Sequence, residues 1–207
     1  MTDKDSCTGT FDYNSDRYSW AQHQAVALRQ HNLDVIDWGN VAAEIKKVSD
    51  SEWINCLNRC SWLIEVLLLI EYYPAERDLI RLWRDEALRL RWDLFRVLSD
   101  NKGIIKRRRN ELLTEAWRYG REKAIGSILV LENKVHRSRS SGSINREITD
   151  RWDKQLPENC PYEWNEIASI TPMQRRIEPM GERWPRVVAQ RLNDALETTY
   201  LIAASTS

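Results

Sequence analysis

Between Asp37 and Tyr73 apolar residues recur at helical spacing, and the pattern changes phase part-way along. Val41, Ile45 and Val48 form one stripe, Asp37, Asn40, Glu44 and Ser51 share a neighbouring face, and Glu52 sits just off that polar line. From Trp53 the apolar line moves to Leu57, Cys60, Ile64 and Leu67. Asp37 has the side chain and charge of an N-cap, so a helix is predicted to start at Trp38. The short polar side chains of Ser49-Asp50-Ser51 compete for the backbone at the phase change, which leaves one bent helix or two. The run Trp62 to Glu71 reads as a helix buried on most sides, too short and too charged for a bilayer span of ~20 apolar residues. Glu65 and Glu71 within it need partners.

The flanking segments are helical too. Ser15 or Asp16 caps a first helix whose predicted apolar face is Tyr18, Ala21, Ala25 and Leu28, with Trp20, Gln24 and Ala27 beside it. Pro74 separates the central stretch from Ala75–Leu98, where Ile80, Trp83, Ala87, Leu90, Leu94 and Val97 make the most regular amphipathic pattern in the chain. Asp100 to Gly103 breaks that helix, and Lys106-Arg107-Arg108-Arg109 opens another that runs to about Leu131. The basic, Ser-rich segment 134–146 is predicted to be a mobile loop, followed by a short helix from Ile148 to Trp152. Two prolines extend the backbone of residues 156–167, which Tyr162, Trp164 and Ile167 can pin down. A last stripe, Val188, Leu192, Ala195, Thr199 and Ile202, marks a C-terminal helix. The expected fold is an all-α, single-domain helical bundle over 11–168, built on an antiparallel pairing of Asp37–Tyr73 with Ala75–Leu98, with 171–207 as a C-terminal extension.

Composition agrees. In 207 residues Gly and Pro number only 7 and 6, and Lys+Arg equals Asp+Glu at 31 each, so no net field draws the chain to nucleic acid or a membrane. Ten Trp imply aromatic anchors at helix contacts or on a partner surface. The N-terminus lacks the basic and apolar regions of a secretory signal, and Cys7, Cys56, Cys60 and Cys160 have neither zinc nor disulfide spacing, so a cytoplasmic protein with buried free thiols is expected.

No phosphate-binding loop, nucleophile elbow or His-rich metal motif occurs, and only three His are present. Three functional readings follow. The leading one is an interaction module that binds another protein or itself, with Val188, Leu192, Ala195 and Ile202 as the contact. The second is a divalent-metal hydrolase in which Asp37, Glu44 and Glu52 hold Mg or Mn and Arg84 or Arg91 steadies the developing charge. Against it, the same carboxylates, or Glu65, can simply pair with the line Arg77, Arg81, Arg84 and Arg91. The third is weak nucleic-acid binding by Lys106, Arg107, Arg108 and Arg109 with Lys134, Arg137, Arg139 and Arg146.

Tyr13, Asp16, Trp20, Gln24 and Leu28-Arg29, then Asp37-Trp38-x-Asn40-Val41-x-x-Glu44-Ile45-x-x-Val48-x-x-Ser51-Glu52, then Tyr73-Pro74-x-x-Arg77, Trp83-Arg84 and Arg91, and finally Leu156-Pro157-x-x-Cys160-Pro161-Tyr162 are in family order. Together they resemble the bacterial family catalogued as domain of unknown function 29, over about residues 11–168. The resemblance implies an all-helical, intracellular bacterial protein and supplies no substrate. Where that family tends to carry a His and a Lys, this chain has Val66 and Leu69.

Overall fold

A computed structural model of the chain describes residues 12–135, 142–168 and Val188. Among these, every regular element is helical: α1 (Arg17–Arg29), a 3₁₀ turn (Leu33–Val35), α2 (Trp38–Tyr72), α3 (Arg77–Asp100), α4 (Lys102–Val135), α5 (Gly142–Gln155) and α6 (Trp164–Ala168). The all-α expectation holds. The chain parts into two compact units, Met1–Glu52 and Trp53–Ser207, with the boundary inside α2.

In the first unit, Asp16 caps α1 by accepting the Ser19 N–H at 3.0 Å. The far end closes with His31 at φ 56° and the Asn32 N–H reaching back to the Ala27 carbonyl. The predicted apolar face of α1 is reversed. Trp20, Gln24 and Ala27 are buried, while Tyr18 is 75% exposed. One large ring in the contact outweighs three smaller side chains outside it, and Gln24 goes in with Trp20 because it has a backbone task described below. A second correction concerns α2. Ile45 and Val48, expected in the core, are 67% and 64% exposed, and Trp38 at the head of the same stripe is 56% exposed.

The second unit has the core. From Cys56 to Ile70, α2 buries Cys56, Leu57, Cys60, Ser61, Leu63, Ile64 and the whole run Val66–Ile70. Burial on successive positions means burial around the full circumference, so other elements must enclose this helix. α2 has the length, and a mean hydropathy of 1.3 over 18 residues, to pass a composition test for a membrane span, but 61% of that window is buried inside the protein. α2 is one continuous helix, with no break at Ser49–Ser51. α3 buries Ile80, Ala87, Leu90 and Leu94 as its periodicity requires, together with Arg91 and Leu98.

α4 starts four residues earlier than expected, at Lys102, and is distorted at Arg108 (φ −132°, ψ 16°). α5 is the larger correction. Gly142–Arg146, read from composition as loop, is helical, because Ile144, Ile148 and Trp152 give one side of α5 an apolar line that docks on the core. Residues 136–141 of the expected loop lie outside the described residues. Cross-links between elements are explicit. Arg59 of α2 pairs with Asp93 of α3 at 2.8 Å, and Ser127 of α4 donates to Glu65 of α2 at 2.6 Å. Tyr162 donates to Glu71 at 2.9 Å, so both buried-run glutamates have partners. Burial and the adjacent Glu71 charge push the Tyr162 hydroxyl well above its ordinary value, which keeps it a donor.

α4 meets α2 where it has no side chain. A Cβ on Gly120 would lie 2.7 Å from Ile64 Cγ2 and 2.8 Å from the Ser61 carbonyl oxygen, whereas one on Gly126 would meet nothing within 4 Å. The two glycines therefore separate by sign. In urea unfolding, Gly120→Ala is expected to destabilise by about 1–3 kcal/mol through overpacking. Gly126→Ala is expected to stabilise by about 0.5–1 kcal/mol through the ordinary helical preference for Ala.

Candidate functional site

The predicted ligands Asp37 and Glu44 lie in a polar cluster of the first unit, between α1 and the start of α2. Gln24 joins the two elements. Its Oε1 accepts the Asp37 backbone N–H at 2.8 Å, and its Nε2 donates to the Val35 carbonyl at 3.4 Å. Asp37 is the expected N-cap, accepting from the Asn40 backbone N–H at 3.1 Å and from Asn40 Nδ2 at 2.7 Å. These bonds hold its carboxyl below the usual range, the side-chain bond counting most. The buried indole N–H of Trp20 faces the same carboxylate without completing a hydrogen bond.

One turn further on, Glu44 Oε1 accepts from Tyr13 Oη and from Lys47 Nζ, the latter at 2.7 Å, and Arg17 Nε stands 3.8 Å away. Lys47 also donates to the Tyr13 hydroxyl at 2.7 Å, and the Arg17 guanidinium lies 5.0 Å from the Tyr13 ring centre. The Lys47 hydrogen bond is the main reason that the Glu44 carboxyl is held below its ordinary value, and the same bond raises Lys47. Both are locked in their charged forms at neutral pH, the opposite of what a proton shuttle needs.

Asp37, Glu44 and Glu52 do not converge. At ~1.5 Å rise per residue they are strung along α2 with gaps of roughly 10 Å and 12 Å, whereas oxygen ligands of one divalent ion lie within ~2.6 Å of it. Glu52 is half-buried at the end of the unit. Among the described residues, no group of three or more His, Cys, Asp or Glu side chains is placed to hold a metal ion.

The arginine line of α3 is dispersed as well. Arg77 is exposed, Arg81 stands 3.6 Å from Asp78, and Arg84 is half-buried with its Nε lacking a partner. Arg91 is buried and donates to the carbonyls of Glu166 at 2.8 Å and Ile167 at 3.4 Å. It satisfies carbonyls that the C-terminus of α6 leaves unpaired. The expected pairing of this line with Asp37, Glu44 and Glu65 is corrected accordingly: those carboxylates take Asn40, Lys47 with Tyr13, and Ser127. Of the basic run, Lys106, Arg107 and Arg109 are exposed. Arg108 is engaged, its guanidinium 3.8 Å from the centre of the Trp53 ring and its Nε 2.7 Å from Glu111. Arg137, Arg139, Leu192, Ala195 and Ile202 lie outside the described residues. Val188, expected on a partner-facing stripe, is fully buried with the core.

A family model described as "Domain of unknown function DUF29" matches residues 13–171. The chain belongs to this family. No curated protein and no solved structure matches it. The DUF29 match begins at Tyr13, the first residue of the polar cluster, and takes in the cluster and all of α1–α6. It also takes in the Leu156–Tyr162 element, whose extended backbone is satisfied by α4: Trp117 Nε1 donates to the Glu158 carbonyl at 3.1 Å and Arg121 Nε to the Pro157 carbonyl at 2.9 Å. Sequence reasoning did not find these donors, nor Tyr13 as a partner of Glu44, because none lies on the same helix as its acceptor. Two partners did carry a signal: Lys47, three residues after Glu44 on α2, and Gln24, placed between Trp20 and Ala27.

Two measurements check the cluster. Gln24→Leu keeps the volume but strands the Asp37 N–H, and is expected to cost about 1–3 kcal/mol in chemical unfolding. Asp37 and Glu44 have folded pKa values below their unfolded ones, ~3.9 and ~4.3. Their contribution is therefore present above those values and lost as pH falls through the lower, folded ones. A thermal midpoint followed downward from pH 7 should decline below about pH 4, and less so in Asp37→Asn with Glu44→Gln.

Proposed function

We propose that this protein is a helical interaction module whose docking face is the stripe Trp38, Val41, Ile45 and Val48 on α2. The supporting observation is the exposure of that stripe. A 3-4-3 spacing is that of a helix seam made to pack against another helix, yet its three end residues are more than half exposed. Among its described residues, the Met1–Glu52 unit also turns Tyr18, Val26, Leu28, Leu33 and Val35 outward and buries only Trp20, Ala27 and Ile36 of the hydrophobic ones. A polypeptide of this size with so little interior is of the kind that needs a partner surface to be stable.

A second copy of the chain suits the face. The positions flanking Ile45 and Val48, namely Ala42, Ser49 and Ser51, are small and uncharged, and Glu44 is paired with Lys47, so this part of the rim holds little that repels its own kind. The hydrolase reading with Mg or Mn draws no comparable support, since its carboxylates are spread along the helix. The nucleic-acid reading retains Lys106, Arg107 and Arg109 as exposed charges but loses Arg108 to Trp53 and Glu111.

The test is sedimentation velocity over a wide concentration range on the wild type and on Ile45→Glu with Val48→Glu. The wild type is expected to self-associate and the double variant to sediment as a monomer with unchanged helical circular dichroism. A wild type that stays monomeric throughout, or an association that the two glutamates leave intact, sinks the assignment.

A further inference from the structure

A groove of about 550 Å³ opens in the second unit where the end of α2 and the Tyr73–Pro74 link face α4 and α5, lined by Tyr72, Tyr73, Glu132, Arg151, Trp152 and Gln155 among others. Three aromatic rings border it. Tyr73 lies 5.8 Å from Trp152, centre to centre, with the planes tilted by 36°, and meets Trp83 edge-on at 6.1 Å. Glu132 is the anionic wall, with only 14% of its side chain exposed. Its Oε1 accepts the Trp152 indole N–H at 2.6 Å, and its Oε2 pairs with Arg151. The Arg151 guanidinium stands 5.9 Å from the Trp152 ring centre, and half of that side chain is exposed. Burial raises the Tyr73 hydroxyl pKa, the Glu132 charge adds to the rise, and Arg151 opposes it.

A mostly buried carboxylate beside aromatic faces selects for a cation, because ring quadrupoles and the carboxylate both attract positive charge and the burial discourages any other neighbour. The chain's own cation fills the place imperfectly. Indole takes one carboxylate oxygen and Arg151 bonds the other alone, so the two-oxygen fork that arginine prefers is not formed, and much of the guanidinium is left to solvent. A cation that brings charge and apolar surface without hydrogen-bond donors matches this wall better than arginine does.

We propose that the groove is a binding site for a methylated ammonium group, with Glu132 as counter-ion, Tyr73 and Trp152 as the aromatic faces, and Arg151 as the resident side chain that the ligand displaces. The group can arrive on a free quaternary ammonium solute or on a trimethylated lysine side chain. The proposal does not depend on the α2 docking face.

The test is isothermal titration of the full chain with tetramethylammonium chloride against sodium chloride at equal ionic strength. Saturable heat is expected for the wild type, and affinity about tenfold higher in Arg151→Ala, where the competitor is gone. Glu132→Gln still accepts the indole N–H but lacks the charge, and should lose at least about tenfold. Tyr73→Leu keeps the apolar volume without the ring and should weaken binding as well, which guards against a single variant that fails to fold. A trimethyl-lysine peptide that binds more tightly than tetramethylammonium upholds the site with a side chain as its source, and one that binds more weakly upholds it with a solute. Absence of saturable heat in the wild type, or equal affinity in the wild type and Glu132→Gln, overturns the proposal.

Discussion

A helix that is apolar on every side has to be enclosed on every side, and α2 from Val66 to Ile70 imposes that requirement on the larger unit. Close approach is possible only where the neighbour is thin, so α4 comes in at Gly120, against Ile64 and the Ser61 carbonyl. Enclosure also brings polar groups indoors. Several are answered from another element: Glu65 by Ser127, Glu71 by Tyr162, and the carbonyls of Glu158 and Pro157 by Trp117 and Arg121. The extended Leu156–Tyr162 segment can therefore lie against the bundle without a strand partner, since side-chain donors replace the ladder that a sheet would supply.

The helices were legible where burial follows the helical period. α3 shows this best, since Ile80, Ala87, Leu90 and Leu94, which its spacing picks out, are buried, and Asp16 and Asp37 serve as caps because capping chemistry is local. Errors arose where a pattern admits two outcomes. α1 has two candidate lines one residue-step apart, and the choice went to the one holding Trp20. The first turn of α5 was hidden because the Ser and Arg content of 134–146 masked Ile144, which continues the four-residue spacing of Ile148 and Trp152. In both cases the deciding factor was contact area with a distant element, which composition does not report.

The candidate site was legible only in part, and for a different reason. Asp37 and Glu44 do sit together with functional-looking neighbours, but a line of carboxylates on one helical face is spaced along an axis, and a metal ion requires convergence on a point. Their partners come from Asn40 on the same turn and from Tyr13, Arg17 and Lys47, with the result that both carboxylates are fixed as anions. The arginine line on α3 misled similarly. Arg91, the one buried member, donates to the backbone carbonyls of Glu166 and Ile167, a task that the charge pattern of two stripes does not announce.

The stripe Trp38 to Val48 differs from these cases in what its pattern does establish. Amphipathicity states that a helix has an apolar face, and is silent on whether the covering surface belongs to the same chain. In α3 the cover is internal, so periodicity and burial coincide. In the first half of α2 they separate, although the same 3-4 spacing governs both. Large side chains left outside are expected singly on any protein surface, but less so as three of the four members of one helical seam in a unit whose described residues include only three buried hydrophobic ones. The exposed apolar seam is the physical observation on which the proposed binding role rests. The paired and neutralised carboxylates behind that seam supply the rigidity that a docking helix needs, by fixing its start at Asp37 and tying its first turns to Tyr13 and Gln24.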